Sequence, residues 1–185
     1  SAFVVTLICI PPIIHLINRF RLYDVPNARK LHSTPIPTIG GIAIMAGMMM
    51  SLLLWFPFSN ELALVAFFFS VAVLFGLGIL DDLKDLSARY KFIIQAGLAA
   101  LIALSGIRIT SFEGLLGIGE LPLAAQYSFT IIAIVGITNA FNLIDGIDGL
   151  AGGIGFMSLM TLGFFLTISG DANTALIAFA LAGGI

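Results

Sequence analysis

Residues 61–80 read ELALVAFFFSVAVLFGLGIL and run directly into Asp81-Asp82-Leu83-Lys84-Asp85. The stretch has the roughly 20 mostly apolar residues that a helix needs to cross the hydrocarbon core of a bilayer. Its one charge, Glu61, sits at the outer edge, and the run offers no polar face of the kind a soluble amphipathic helix shows. The switch to carboxylates and a lysine marks the point where such a helix meets water.

Six further stretches approach the same pattern, at residues 2–18, 39–56, 92–106, 127–143, 154–169 and 172 onward. The 185 residues are 59% hydrophobic and 10% charged, with a mean hydropathy of +1.13. Soluble domains carry about 25% charged residues, so too little polar surface remains here to face water. Disorder and a basic nucleic-acid binder are excluded on the same ground, and the first partner implied is the lipid bilayer. The fold class predicted is all-α: a polytopic transmembrane helical bundle of about seven spans, forming one integral membrane domain over residues 1–185. The first apolar run is followed by others like it, which reads as a span rather than an isolated signal peptide. Cys9, the single cysteine, lies in an apolar run and reads as a small buried hydrophobe. The chain starts at Ser1 against a short apolar run and stops about 14 residues into the last one. The expectation from both ends is a fragment of a longer protein.

Seven of the eight basic residues fall in two loops. Arg19, Arg21, Arg29 and Lys30 precede the second span, and Lys84, Arg89 and Lys91 lie between the third and fourth. The excess of Lys and Arg on cytoplasmic loops predicts that residues of about 19–38, 81–91 and 144–153 are cytoplasmic. Asp81, Asp82, Asp85, Asp145 and Asp148 then share that face with the basic residues.

On a continuous helix Asp81 and Asp85 share a face at i and i+4, with Asp82 beside them. Carboxylates that close repel unless a proton or cation intervenes, and Mg²⁺ is commonly held by one or two carboxylates plus substrate phosphates. A solvated helix end partly balanced by Lys84 is the plainer alternative. The second polar group is Asn139, Asn142, Asp145 and Asp148, one every third residue where an apolar run leaves the membrane. On an unbroken helix each step of three turns back about 60°, so the four would sweep across half the surface. Gly146 and Gly149 let the backbone turn and gather the two aspartates. Asn and Asp at such a depth are costly unless paired, which marks them as functional candidates, with helix caps as the alternative. Lys30, His32 and Lys91 add cations suited to a diphosphate, while Arg19 and Arg21 read as membrane anchors.

The Asp81–Asp85 cluster, Ser87-Ala88-Arg89-Tyr90-Lys91 and Asn139 to Gly149 together resemble the polyprenyl-phosphate N-acetylhexosamine-1-phosphate transferases. Asp24 to His32 and the Pro35 to Gly41 turn fit the same family. Aromatic prenyltransferases space their Asn and Asp more widely, and soluble prenyl diphosphate synthases carry Asp-Asp-x-x-Asp on amphipathic helices.

The resemblance implies a Mg²⁺-dependent enzyme, with Mn²⁺ as an alternative ion, in a bacterial inner membrane. It would move a sugar 1-phosphate from a UDP-sugar to polyprenyl phosphate and release UMP. It implies metal or catalytic roles for Asp81 and Asp82, with Asp82 as a base, and a further catalytic aspartate in Asp85. Asn142, Asp145 and Asp148 would shape the nucleotide and metal site, Asp145 as a metal ligand. Lys30, His32, Lys91 and Asn139 would bind substrate, and a homodimer is a partner arrangement left open. Asp85 resembles the branch that transfers N-acetylglucosamine 1-phosphate, where the phospho-N-acetylmuramoyl-pentapeptide branch generally has Lys. Other UDP-N-acetylhexosamines stay open as donors. The resemblance also implies ten or eleven spans, a Gly-Asp-x-Gly-Ser segment and a His-rich loop, neither motif being present before Ile185, so the 185 residues alone are expected to be inactive. A non-catalytic membrane scaffold and a transporter are the readings of another class. A transporter calls for charges near mid-membrane and an internal repeat, whereas here the charges gather at one face.

Overall fold

The computed structural model describes residues 1–20, 23–24, 36–37, 40–58, 61–84, 86–145 and 149–185. Among them are seven α-helices: α1 (Ala2–Phe20), α2 (Gly40–Trp55), α3 (Leu62–Lys84), α4 (Ala88–Leu104), α5 (Leu123–Ile144), α6 (Leu150–Ile168) and α7 (Ala172–Gly184). Helices dominate because a chain this apolar must satisfy its own backbone N–H and C=O groups wherever water is absent. Three of them, α3, α5 and α6, are long and apolar enough to cross a membrane. Residues 2–16 of α1, together with α2 and α7, form shorter apolar helices, so the seven apolar runs read from the sequence correspond to seven helices but not to seven full-length spans. Apolar side chains stay exposed even at the helix ends, with Leu143 82% and Ile168 87% exposed, a surface suited to lipid rather than water.

The helices form two compact units, Ser1–Phe58 with Ile144–Ile185, and Ser59–Leu143. In the first, α1, α2 and α7 pack on one another and α7 packs on α6. Between helices in lipid the hydrophobic effect supplies no driving force, so close packing must hold them, and small residues allow it. A Cβ at Gly47 of α2 would collide with Thr6 Oγ1 and lie 2.8 Å from the Ala2 carbonyl oxygen of α1. The buried Thr6 hydroxyl donates across the same seam to the Ala43 carbonyl at 3.2 Å. At Gly163 of α6 an added Cβ would meet the Phe179 ring of α7 at 2.7 Å. Gly153 of α6, by contrast, has nothing within 4 Å of an added Cβ. Two short strands, β1 (Tyr23–Asp24) and β2 (Ile36–Pro37), pair antiparallel with Tyr23 opposite Pro37.

The second unit holds α3, α4 and α5. A ribbon between α4 and α5 closes on the bond from Leu121 N–H to the Thr110 carbonyl at 2.9 Å. It is anchored on α5 by Arg108, whose Nε donates to Gln126 Oε1 at 2.9 Å and whose guanidinium lies 5.2 Å from the Tyr127 ring centroid.

Candidate active site

The acidic cluster begins on a helix, because α3 runs on past the apolar stretch to Lys84. Asp81 and Asp82 therefore stand in the last turn of α3. α4 starts at Ala88, four residues before the apolar run read from the sequence. Asp81 ties the end of α3 to the start of α4. Its Oδ1 accepts the Leu86 N–H at 3.0 Å, and its Oδ2 accepts Lys91 Nζ, from the first turn of α4, at 2.8 Å. Both side chains are about three-quarters buried, at 25% and 24% exposure. Charge-assisted bonds at that depth contribute about 1.5–3 kcal/mol each, which fixes where the Lys91 ammonium sits.

One turn further into α4 from Lys91, on the same face, is Gln95. Its Oε1 accepts Asn139 Nδ2 of α5 at 2.9 Å, and the same amide nitrogen also donates to the Val135 carbonyl at 2.8 Å. Both N–H groups of the Asn139 amide are thus in use, leaving Oδ1 as its acceptor. Further along, the Ile109 N–H donates to Thr130 Oγ1 at 2.9 Å. Contacts at 95 with 139 and 109 with 130 mean that α4 and α5 run in opposite directions. Stepping back one turn on α4 to Lys91 therefore corresponds to stepping forward one turn on α5 to the exposed Asn142. The end of α3, the start of α4 and the end of α5 lie at one end of this unit. Asp81, Asp82, Lys91 and Asn142 are in its outer layer, and the Gln95–Asn139 pair lies in the layer beneath.

Asp82 is exposed and engaged in an interaction of its own. Asp145 is exposed in the turn after α5 and belongs to the first unit. Gly149 precedes α6 with φ +73°, a left-handed backbone that glycine adopts readily, and Gly146 lies outside the described residues. Asp85, Asp148, Lys30 and His32 lie outside the described residues. Gln95 was not singled out in the sequence. Its one signal is a lone amide in an apolar helix, four residues after Lys91.

Among the described residues no group of three or more His, Cys, Asp or Glu side chains is placed to hold a metal ion. Asp81 and Asp82 still suit a hard divalent cation in kind, since a carboxylate or two is enough when substrate phosphates complete the shell. Asp81 would have to use lone pairs left over from Leu86 and Lys91, a carboxylate offering about four.

Residues 64–185 match the family model described as glycosyl transferase family 4. Over 143 residues the chain is 36% identical to a probable undecaprenyl-phosphate N-acetylglucosaminyl 1-phosphate transferase of Bacillus subtilis, covering 75% of this chain and 40% of that protein. Undecaprenyl-phosphate alpha-N-acetylglucosaminyl 1-phosphate transferases of Yersinia pestis and Escherichia coli K12 are 34% and 30% identical, covering 86% and 89% of this chain and 44% and 45% of their own. The chain spans less than half the length of these curated relatives.

Proposed function

The chain belongs to glycosyl transferase family 4, and we propose that the protein it comes from transfers N-acetylglucosamine 1-phosphate from UDP-N-acetylglucosamine to a polyprenyl phosphate, releasing UMP. The step would open the lipid-linked synthesis of a cell-envelope polysaccharide. The observation that carries the reading is the Asp81–Lys91 pair beside Asp82 at one end of α3 and α4, within the residues that match the family. Carboxylates and an ammonium held side by side suit a reaction between two phosphates better than binding of either charge alone.

In this reading an oxygen of the lipid phosphate attacks the phosphorus that bears the sugar, and the bond from that phosphorus to the UMP oxygen breaks. Lys91 neutralises phosphate charge from a position fixed by Asp81. A phosphate monoester is mostly ionised near neutrality, so Asp82 acts as a base only for the fraction still protonated. Asn142 offers an amide donor and acceptor to the donor substrate. Asp81 and Asp82 would hold Mg²⁺, or Mn²⁺ in its place, which when bound draws charge from the diphosphate. Roles for Asp85, Asp145 and Asp148 in catalysis, for Asp145 as a further metal ligand, and for Lys30, His32 and Asn139 in substrate binding, rest on the sequence resemblance. The positive-inside pattern supports a site on the cytoplasmic face of a bacterial inner membrane.

The test is Mg²⁺-dependent UMP release by the full-length protein in detergent, with polyprenyl phosphate and with UDP-N-acetylglucosamine or UDP-N-acetylmuramoyl-pentapeptide in separate reactions. Release with UDP-N-acetylglucosamine alone is expected. Release with the pentapeptide donor alone would move the protein to the other branch.

A further inference from the structure

Gln95 is a polar side chain inside α4 for which the transfer reaction as described has no use. It is half-buried, its Oε1 takes an N–H of Asn139 at 2.9 Å, and it lies one turn from Lys91 on the same face of the helix. The two rungs hold different partners: Lys91 binds Asp81 at the end of α3, and Gln95 binds Asn139 near the end of α5. Rotation or sliding of α5 against α4 would break the second rung and leave a half-buried amide unpaired, which is costly where water is scarce. The register of α5 on α4 is therefore set within one turn of the outer layer. Asn142, three residues beyond Asn139, takes its place relative to Lys91 from that register.

We infer that Gln95 is a positioning residue for the phosphate-transfer site. Through Asn139 it fixes the level and rotation of the last turn of α5, and with it the distance between Asn142 and the Lys91 ammonium. This rests on the reading of the chain as a sugar-phosphate transferase. Asn139 accordingly acts chiefly as a strut, its amide hydrogens being spent on Gln95 and on Val135. A strut one turn below reacting groups controls alignment, to which rate is steeply sensitive: a misplacement of about 1 Å can cost on the order of a hundredfold.

The experiment uses the full-length protein in detergent, comparing wild type, Gln95→Leu, Asn139→Leu, the double substitution, and the exchange in which Gln95→Asn is combined with Asn139→Gln. UMP release is followed against UDP-N-acetylglucosamine concentration, and thermal unfolding is recorded for each protein. Gln95→Leu is expected to lower kcat by about tenfold to a hundredfold in protein that remains folded at the assay temperature. The double substitution should cost no more than either single one, because both remove the same contact. The exchange, which keeps an amide on each helix and the combined length, should recover most of the loss. A merely structural role would lower the unfolding midpoint and leave kcat per folded molecule unchanged, and that result overturns the inference. So do losses that multiply in the double substitution. If wild type releases no UMP from any UDP-N-acetylhexosamine, the functional reading falls and this inference with it. If wild type is active and Gln95→Leu equally so, only the inference falls.

Discussion

The two compact units differ in what chiefly joins their helices. In the first, α1, α2 and α7 meet where side chains are smallest, as at Gly47 against Thr6 and Ala2, and at Gly184, where a Cβ would lie 3.0 Å from the Ile44 carbonyl oxygen. In the second, helices are joined through polar side chains, Asp81 with Lys91 and Gln95 with Asn139, and the segment after α4 is tied to α5 by the Ile109 N–H to Thr130. Close backbone approach gives packing enthalpy and asks for nothing beyond shape. Polar links carry direction as well, since a donor must face an acceptor, and they keep charge and hydrogen-bonding capacity at fixed positions. The α1, α2 and α7 seams of the first unit thus serve packing, while the polar links of the second hold in place residues proposed for chemistry.

This contrast can be broken most sharply at Asp82. In the full-length protein Asp82→Asn, by weakening the proposed metal site, should reduce UMP release by about 10²–10³-fold while the unfolding midpoint stays near that of wild type. A folded, fully active variant would remove Asp82 from the site. Lys91→Met comes next. It takes away the proposed phosphate partner and leaves the Asp81 carboxylate three-quarters buried without its cation, so activity should fall by about a hundredfold and stability should fall too. Lys91→Arg keeps the charge and should retain stability better than activity, because the planar guanidinium cannot reproduce the ammonium's position.

The opposite pattern is expected in the first unit. Gly47→Ala forces a methyl group against backbone as well as the Thr6 side chain, and should cost about 1–3 kcal/mol by chemical or thermal unfolding. Its turnover per folded molecule should match wild type. If Gly47→Ala instead slows turnover without destabilising the protein, the division between scaffold and site is wrong.

The smallest effect is at the start of α7. The Thr174 N–H donates to Asp171 Oδ1 at 3.1 Å, capping the helix. Hydrogen bonding from Thr174, its side chain first and its backbone second, lowers the Asp171 carboxyl below its ordinary value of 3.8. The folded form thus has the lower pKa. The cap's contribution is complete well above the unfolded value and is lost as pH falls through the folded one. Asp171→Ala should cost about 0.5–1 kcal/mol near neutrality. The difference from wild type should shrink in acid, and a difference that grows there would contradict the assignment.

Much of the fold was legible because each helix announces itself locally, by an apolar run between charges. The starts were less so: α4 begins at Ala88 and α5 at Leu123, each four residues before its apolar run, because Arg89, Lys91 and Gln126 sit within helices while finding polar partners or the surface. The Asp81-Asp82 pair was legible as an acidic cluster, but not the bond from Lys91 to Asp81, which joins two different helices. Gln95 escaped because one amide in an apolar helix belongs to no motif until Asn139 is seen opposite it. Contacts such as Thr6 with Ala43 depend on which helices become neighbours, and no local pattern encodes that choice.

The most direct measurement uses UDP-N-acetylglucosamine radiolabelled at the phosphorus that bears the sugar, incubated with polyprenyl phosphate, Mg²⁺ and the full-length protein. Transfer of the sugar with its phosphate predicts label moving into the lipid extract in step with UMP release, and neither event with Asp82→Asn. Label remaining in water while wild-type protein is folded, or appearing there as UDP with only the sugar on the lipid, would contradict the account.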